Sequence, residues 1–383
     1  MPHNAGMVDT GRRRLLGGIG AVTVASLATG RLAPVAEAAS RRAPGTLLWQ
    51  AKAGSGYSGH ELTPIVTGHG TVYAASTAQS NGNSAIYALS AATGKVAWYT
   101  SPTGPVPYAA GPDAVYGFQL TGGNKKTSVV ALSAATGRPM WTYAAGDMLD
   151  NATVGSLTYS DGKVFIGGGL SDTFSSAANE VIALDAGTGR PLWKLTAGTP
   201  QAPAVTDGVL CIADGQRVVG LNAATGTRRW QSEVGGSGIE NVPTGNFTTT
   251  AGAIIGWSVD SAFALDAGTG RLLWRSSAGL PALAAVGIVF LAKLFHVPTT
   301  MHAVDARTGA TLWTRALPQN LTTFAAAEGT AYFGIGSTVT AVAAATYRSL
   351  WTYRLSAPAT GVAITGGVAY VADRHGTVHA LVA

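Results

Sequence analysis

Short apolar runs separated by glycine-containing turns cover most of the chain, and they recur in a fixed order. Val129-Val130-Ala131-Leu132 and Val181-Ile182-Ala183-Leu184 are each followed by Ala-Ala-Thr-Gly or Ala-Gly-Thr-Gly and then by a second run reaching a tryptophan. That pattern reads as strand, turn, strand. Another hairpin stands upstream in each unit, as in Gly162-Lys163-Val164-Phe165-Ile166, Gly208-Val209-Leu210-Cys211-Ile212 and Gly367-Val368-Ala369-Tyr370-Val371. Four strands per unit follow, with no helix-length amphipathic stretch between units.

The units repeat eight times around a small residue, a glycine six positions on and a tryptophan four after that. Ala88, Gly94 and Trp98 make the first complete copy, and Ala131-Gly137-Trp141, Ala183-Gly189-Trp193, Gly220-Gly226-Trp230, Ala264-Gly270-Trp274 and Ala303-Gly309-Trp313 repeat it. Ala341, Tyr347 and Trp351 keep the spacing without the glycine. The last copy begins at Ala380 near the C-terminus, and its other half, Gly45 and Trp49, stands near the N-terminus. Successive tryptophans are 49, 43, 52, 37, 44, 39 and 38 residues apart. A period near forty with four strands per unit predicts an all-β, eight-bladed β-propeller, whose radial closure protects the strand edges.

In such a ring the indole fills the wedge between blades, and the small residue and turn glycine leave room for it. The docking set is then Trp49, Trp98, Trp141, Trp193, Trp230, Trp274, Trp313 and Trp351, with Trp257 outside it in a core position. The turn glycine supplies a positive φ, so Tyr347 predicts a different turn in its copy. Pairing Thr46-Leu47-Leu48-Trp49 with His379-Ala380-Leu381-Val382 would lock the ring without a disulfide.

The run Ala183-Leu184-Asp185-Ala186-Gly187-Thr188-Gly189-Arg190-Pro191-Leu192-Trp193 resembles the repeat of pyrroloquinoline-quinone-type (PQQ-like) propellers, and the resemblance spans almost all of residues 39–383. That family includes quinoprotein alcohol and glucose dehydrogenases, the propeller lipoprotein of the outer-membrane barrel-assembly machinery, and proteins that keep the repeat without a quinone. The resemblance implies the fold. Function must come from residues beyond the repeat.

Hydrophobic residues make up 46% of the chain, charged residues 11%, and there are 51 glycines, as a turn-rich single domain with a large core requires. Ahead of it, Arg12-Arg13-Arg14, an apolar stretch from Leu15 to Leu27, and Ala36-Glu37-Ala38 read as an export signal over residues 1–38, of twin-arginine type, leaving one propeller domain over residues 39–383. The expected location is secreted or in the cell envelope, with membrane attachment only if the leader stays uncleaved. Cys211 is the single cysteine, which excludes an intramolecular disulfide and leaves no lipid-accepting cysteine near the cleavage site. No basic run follows Arg41-Arg42, and Lys125-Lys126 is too small a patch for nucleic acid.

Connections that leave the tryptophan strands return toward the axis, and several carry acids or amides: His60 and Glu61, Asp150 and Asn151, Glu240 and Asn241, and Asn320. Their convergence on one axial funnel would make either a polar channel mouth or an oxygen-rich cation site of the kind calcium takes. The resemblance to quinone dehydrogenases would add a vicinal disulfide, a calcium ion and an aspartate base; the disulfide cannot form here. Gly54-Ser55-Gly56 and Gly235-Gly236-Ser237-Gly238 lack the Lys-Ser/Thr of a phosphate loop. His296, His302, His375 and His379 show no zinc or triad spacing and read as solvated or core residues. The sequence therefore predicts an exported, monomeric propeller without a cofactor that binds a protein or a cell-envelope or extracellular ligand. The alternative is a PQQ- and calcium-dependent oxidoreductase that uses the funnel.

Overall fold

A computed structural model describes residues 39, 42–53, 60–78, 84–100, 106–121, 126–144, 156–168, 180–197, 203–234, 247–258, 261–292, 299–317 and 321–383. Residues 1–38, the expected leader, lie outside them. These residues form eight four-stranded antiparallel sheets arranged as the blades of a propeller. Blade 1 runs His60–Gly68, Thr71–Ala78, Ser84–Ser90 and Val96–Tyr99 from the axis outward, and blades 2 to 7 follow in chain order. Blade 8 is composite. Ala359–Thr365, Val368–Asp373 and Thr377–Val382 supply its inner three strands, and Leu47–Lys52 pairs antiparallel with Thr377–Val382 as its outermost strand.

One row of residues repeats across every blade. A residue on the second strand, aromatic in six blades, isoleucine in blade 5 and cysteine in blade 4, faces the small residue on the third, and the small residue faces the tryptophan on the fourth: Tyr73, Ala88 and Trp98, or Tyr370, Ala380 and Trp49. The small residue lets the indole lie over the sheet toward its aromatic neighbour, with ring centroids 5.8 Å apart in both blades. In blade 4 the row is Cys211, Gly220 and Trp230, and a Cβ on Gly220 would meet the Trp230 ring at 2.1 Å. Glycine is the residue that fits there.

Adjacent blades are joined through the indoles. Trp141 Nε1 donates to the Ala186 carbonyl of the next blade at 3.0 Å, and its ring lies so close over Gly189 that a Cβ would stand 2.6 Å away. Trp49, Trp98, Trp193, Trp230, Trp274 and Trp313 make the same bond to the following blade. Trp351 packs on Gly45, which closes the ring, but its buried indole N–H has no partner among the described residues.

Two expectations need correction. Tyr347 does not change its turn: it takes φ +58°, and its amide donates to the Ala343 carbonyl at 2.8 Å, as Gly189 does to Asp185. Packing of its ring against Trp313 offsets the strain of the left-handed backbone. Trp257 is half-buried at the end of the second strand of blade 5, outside the inter-blade core.

Every outermost strand also carries a β-bulge at the residue before its tryptophan. The extra residue restores the register that puts tryptophan opposite the small residue, and it turns the bulged side chain off the sheet.

Candidate functional site

The four-stranded repeat gives the propeller two unlike faces. On one, the first and second strands of a blade are joined by two residues, or three in blade 2, and the third and fourth strands are joined by five residues in each of blades 1 to 7. The two-residue turns have both central residues at positive φ, as in Asp207 (+50°) and Gly208 (+70°), a geometry that matches strand twist. In blades 3, 5 and 6 the five-residue turn is held by an aspartate: Asp185 Oδ1 accepts both the Thr188 amide (2.9 Å) and its hydroxyl (2.7 Å). Asp266 and Asp305 do the same with Thr269 and Thr308. Hydrogen bonds from the threonine hold the carboxyls of Asp185 and Asp266 below the usual range, and the Thr308 amide and hydroxyl do so for Asp305.

The opposite face is variable. There the second and third strands are separated by 2 to 11 residues, and the outermost strand is separated from the next innermost strand by 3 to 14, the longest separation lying between Glu233 and Thr248. A rigid scaffold with uniform turns at one end and connections of unequal length at the other concentrates its sequence freedom on the second end.

Of the expected site residues, the described backbone places His60 and Glu61 at this face. His60 and Glu61 are the first two residues of the innermost strand of blade 1, opposite Ala78 and Thr77, and their side chains lie outside the described residues. Asp150 and Asn151, between blades 2 and 3, Glu240 and Asn241, between blades 4 and 5, and Asn320, between blades 6 and 7, also lie outside them. His296, Gly54-Ser55-Gly56 and Gly235-Gly236-Ser237-Gly238 do too. The innermost strands of blades 2 to 8 carry no Asp, Glu, Lys, Arg or His, and threonines tie several of them together: Thr158 Oγ1 donates to the Pro203 carbonyl at 2.9 Å, and the Gly287 amide donates to Thr250 Oγ1 at 2.8 Å.

A buried polar set escaped the sequence reading. Asp373, fully buried where the second strand of blade 8 ends on the variable face, accepts Nε2 of His379 (3.0 Å), Oγ of Ser356 (3.1 Å) and the amides of His375 and Thr377. Burial pushes its carboxyl up, but the bonds from His379, the Thr377 amide and Ser356 outweigh burial and hold it below the usual range. Serine and histidine both bond to the carboxylate and not to each other, so this is a structural clamp between blades 7 and 8 and not a nucleophile with its base. Asp-x5-His was visible in the sequence; Ser356 was not, because only the fold brings the inter-blade connection to it. Cys211 is buried with its thiol pushed well up by burial, as an inert core residue should be.

The profile of one protein family, described as outer membrane protein assembly factor BamB, matches residues 35–169, 125–276 and 258–383. The chain belongs to the BamB family. Among solved structures, BamB from Moraxella catarrhalis is 16% identical with a TM-score of 0.62, covering 88% of this chain and 99% of that one. Quinohemoprotein alcohol dehydrogenase from Comamonas testosteroni is 15% identical with a TM-score of 0.62, covering 88% and 76%. Sqt1 from Saccharomyces cerevisiae is 9% identical with a TM-score of 0.59, covering 88% and 99%. At these identities the structural likeness establishes the propeller alone. No individually curated protein matches the sequence. Within the BamB family this chain has the complete eight-bladed ring.

Proposed function

We propose that this BamB-family propeller is an exported, monomeric binding scaffold that takes a protein or a cell-envelope or extracellular ligand on its variable face. The observation that carries the reading is the contrast between the faces: five-residue turns throughout one rim, against connections of 3 to 14 residues on the other. Membership of a family named for an assembly factor supports an interaction role. Twin-arginine export would deliver the ring already closed, with its variable face formed.

The likeness to quinone dehydrogenases makes an oxidoreductase the competing reading, and it can be weighed against the residues present. A quinone with calcium needs carboxylate and amide oxygens at the metal and cationic or polar groups on the quinone acids. Among the described residues no three of His, Cys, Asp and Glu stand close enough to hold a metal ion, and the described inner strands offer mostly alanine, threonine, valine and leucine. The described residues do not fit that group.

Two measurements separate the readings. Replacing residues 235–246 with a short glycine-serine turn should leave the melting temperature unchanged and abolish co-purification of the envelope partner. Full-length protein mixed with quinone and calcium should pass gel filtration without quinone absorbance and should not reduce a dye with alcohols or sugars. Retained quinone with dye reduction would replace the scaffold reading by the enzyme.

A further inference from the structure

We infer that the uniform face docks on anionic lipid bilayers through its outer rim, which leaves the variable face turned away from the membrane. The first observation is chemical. The residue after the turn glycine is basic in five copies, Lys95, Arg138, Arg190, Arg271 and, after Tyr347, Arg348; all are exposed, and none is held in an ion pair among the described residues.

The second observation is the bulge. Met140, Leu192, Leu312 and Leu350 occupy the bulge position and are 38–46% exposed, and Leu48 and Leu273 occupy it half-buried. Folding does not require a large apolar side chain there, because Ala97 and Arg229 hold the same position in blades 1 and 4 with the bulge unchanged. In blade 1 the exposed apolar side chain is Val96, one residue earlier. Leu48 and Leu273 pack against the core, whereas Met140, Leu192, Leu312 and Leu350 present leucine or methionine to the surface at four of the eight bulges.

The third observation is geometric. These positions are equivalent by the repeat and adjoin the same turns, so they form one ring at one height, which a flat surface meets all at once. Cationic side chains beside apolar ones are the chemistry of binding at a lipid headgroup boundary. Asp185, Asp266 and Asp305 share these turns and stay ionised, because the threonine bonds favour the carboxylate; Asp266 is offset by Arg307 at 3.0 Å, and the five basic residues outnumber the other two acids. Asp113, Asp161, Asp207 and Glu328 stand on the turns nearest the axis and oppose an anionic surface there, so the contact is annular.

The test is flotation of the full chain with vesicles of phosphatidylglycerol and phosphatidylcholine against phosphatidylcholine alone. The leader, with Arg12-Arg13-Arg14 before its apolar stretch, also favours anionic lipid, so rim docking is read from the loss of binding in rim variants whose leader is unchanged, and it weakens with salt. Arg138→Glu with Arg190→Glu and Arg271→Glu should reduce anionic-vesicle binding by at least about fivefold per charge removed. Met140→Ser with Leu192→Ser and Leu350→Ser should weaken it at every salt concentration. Asp161→Asn with Asp207→Asn should strengthen it. All three variants should melt with the wild type, since the side chains are exposed. The proposal is overturned if wild type shows no preference for the anionic vesicles, if charge reversal leaves binding unchanged, or if soluble polyphosphate is bound with the same salt dependence while vesicles are not.

Discussion

The ring of Tyr347 lies over the indole of Trp313, with centroids 4.8 Å apart, at the place where most other inter-blade contacts set a bare glycine against the preceding indole. Tyr347 holds a left-handed backbone to do this. Two opposing effects act at one residue, and paired substitutions resolve them. Tyr347→Gly and Tyr347→Ala both lose the contact with Trp313, but only alanine keeps the strain of φ +58°, so the alanine variant should be less stable by about 1 kcal/mol in urea unfolding. Equal stabilities would mean that the turn is not left-handed.

A second strained residue has no such compensation. Val286 takes φ +51° in the two-residue turn of blade 6 and is 42% exposed. Asparagine tolerates this backbone and valine does not, so Val286→Asn should raise stability by roughly 1 kcal/mol, read as a higher melting temperature. A lower one would show that the side chain packs.

The indole bonds can be measured by comparison within one molecule. Trp313 Nε1 donates to the Ala344 carbonyl at 2.8 Å, whereas Trp351 Nε1 is buried without a described partner. Tryptophan to phenylalanine removes similar volume at both, so Trp313→Phe should cost more than Trp351→Phe by about 0.5–1.5 kcal/mol, the net value of one hydrogen bond. Matching losses would place an acceptor on Trp351 as well.

Acid sensitivity follows from the turn aspartates. The folded pKa values of Asp185, Asp266, Asp305 and Asp373 lie below the unfolded value of 3.8. Their contribution is therefore fully present above that value and is lost as pH falls through the lower folded values. The melting temperature should be flat with respect to these groups from pH 7 to about 5 and fall below 4. The triple variant of Asp185→Asn, Asp266→Asn and Asp305→Asn should melt lower at pH 7 and show a shallower acid decline, and a decline as steep as the wild type's would assign acid loss to other groups.

The ring was legible in the sequence because each blade repeats the same packing problem: tryptophan needs a small neighbour in its own blade and a bare turn in the next, and both leave residue types at fixed spacing. Even the split blade could be read, from Gly45 and Trp49 completing Ala380. What escaped were features set by tertiary contact. The bulge before each tryptophan leaves no residue signature, since methionine, leucine, arginine and alanine all occupy it. Tyr347 broke the glycine rule because aromatic packing outweighed backbone strain, a balance that spacing does not reveal. The Asp373 clamp depends on Ser356, brought to it by the passage from blade 7 to blade 8. Residues proposed for recognition sit in connections of unequal length, where no periodicity constrains them.

Site-specific photocrosslinking in the producing cell tests the central claim most directly. A photoreactive residue would replace Asp150, between blades 2 and 3, or Glu240, between blades 4 and 5, and Thr136 or Thr188 on the uniform turns, one position at a time. The account predicts protein or glycan adducts from positions 150 and 240 and none from 136 and 188. Protein or glycan adducts from the uniform turns alone would contradict it.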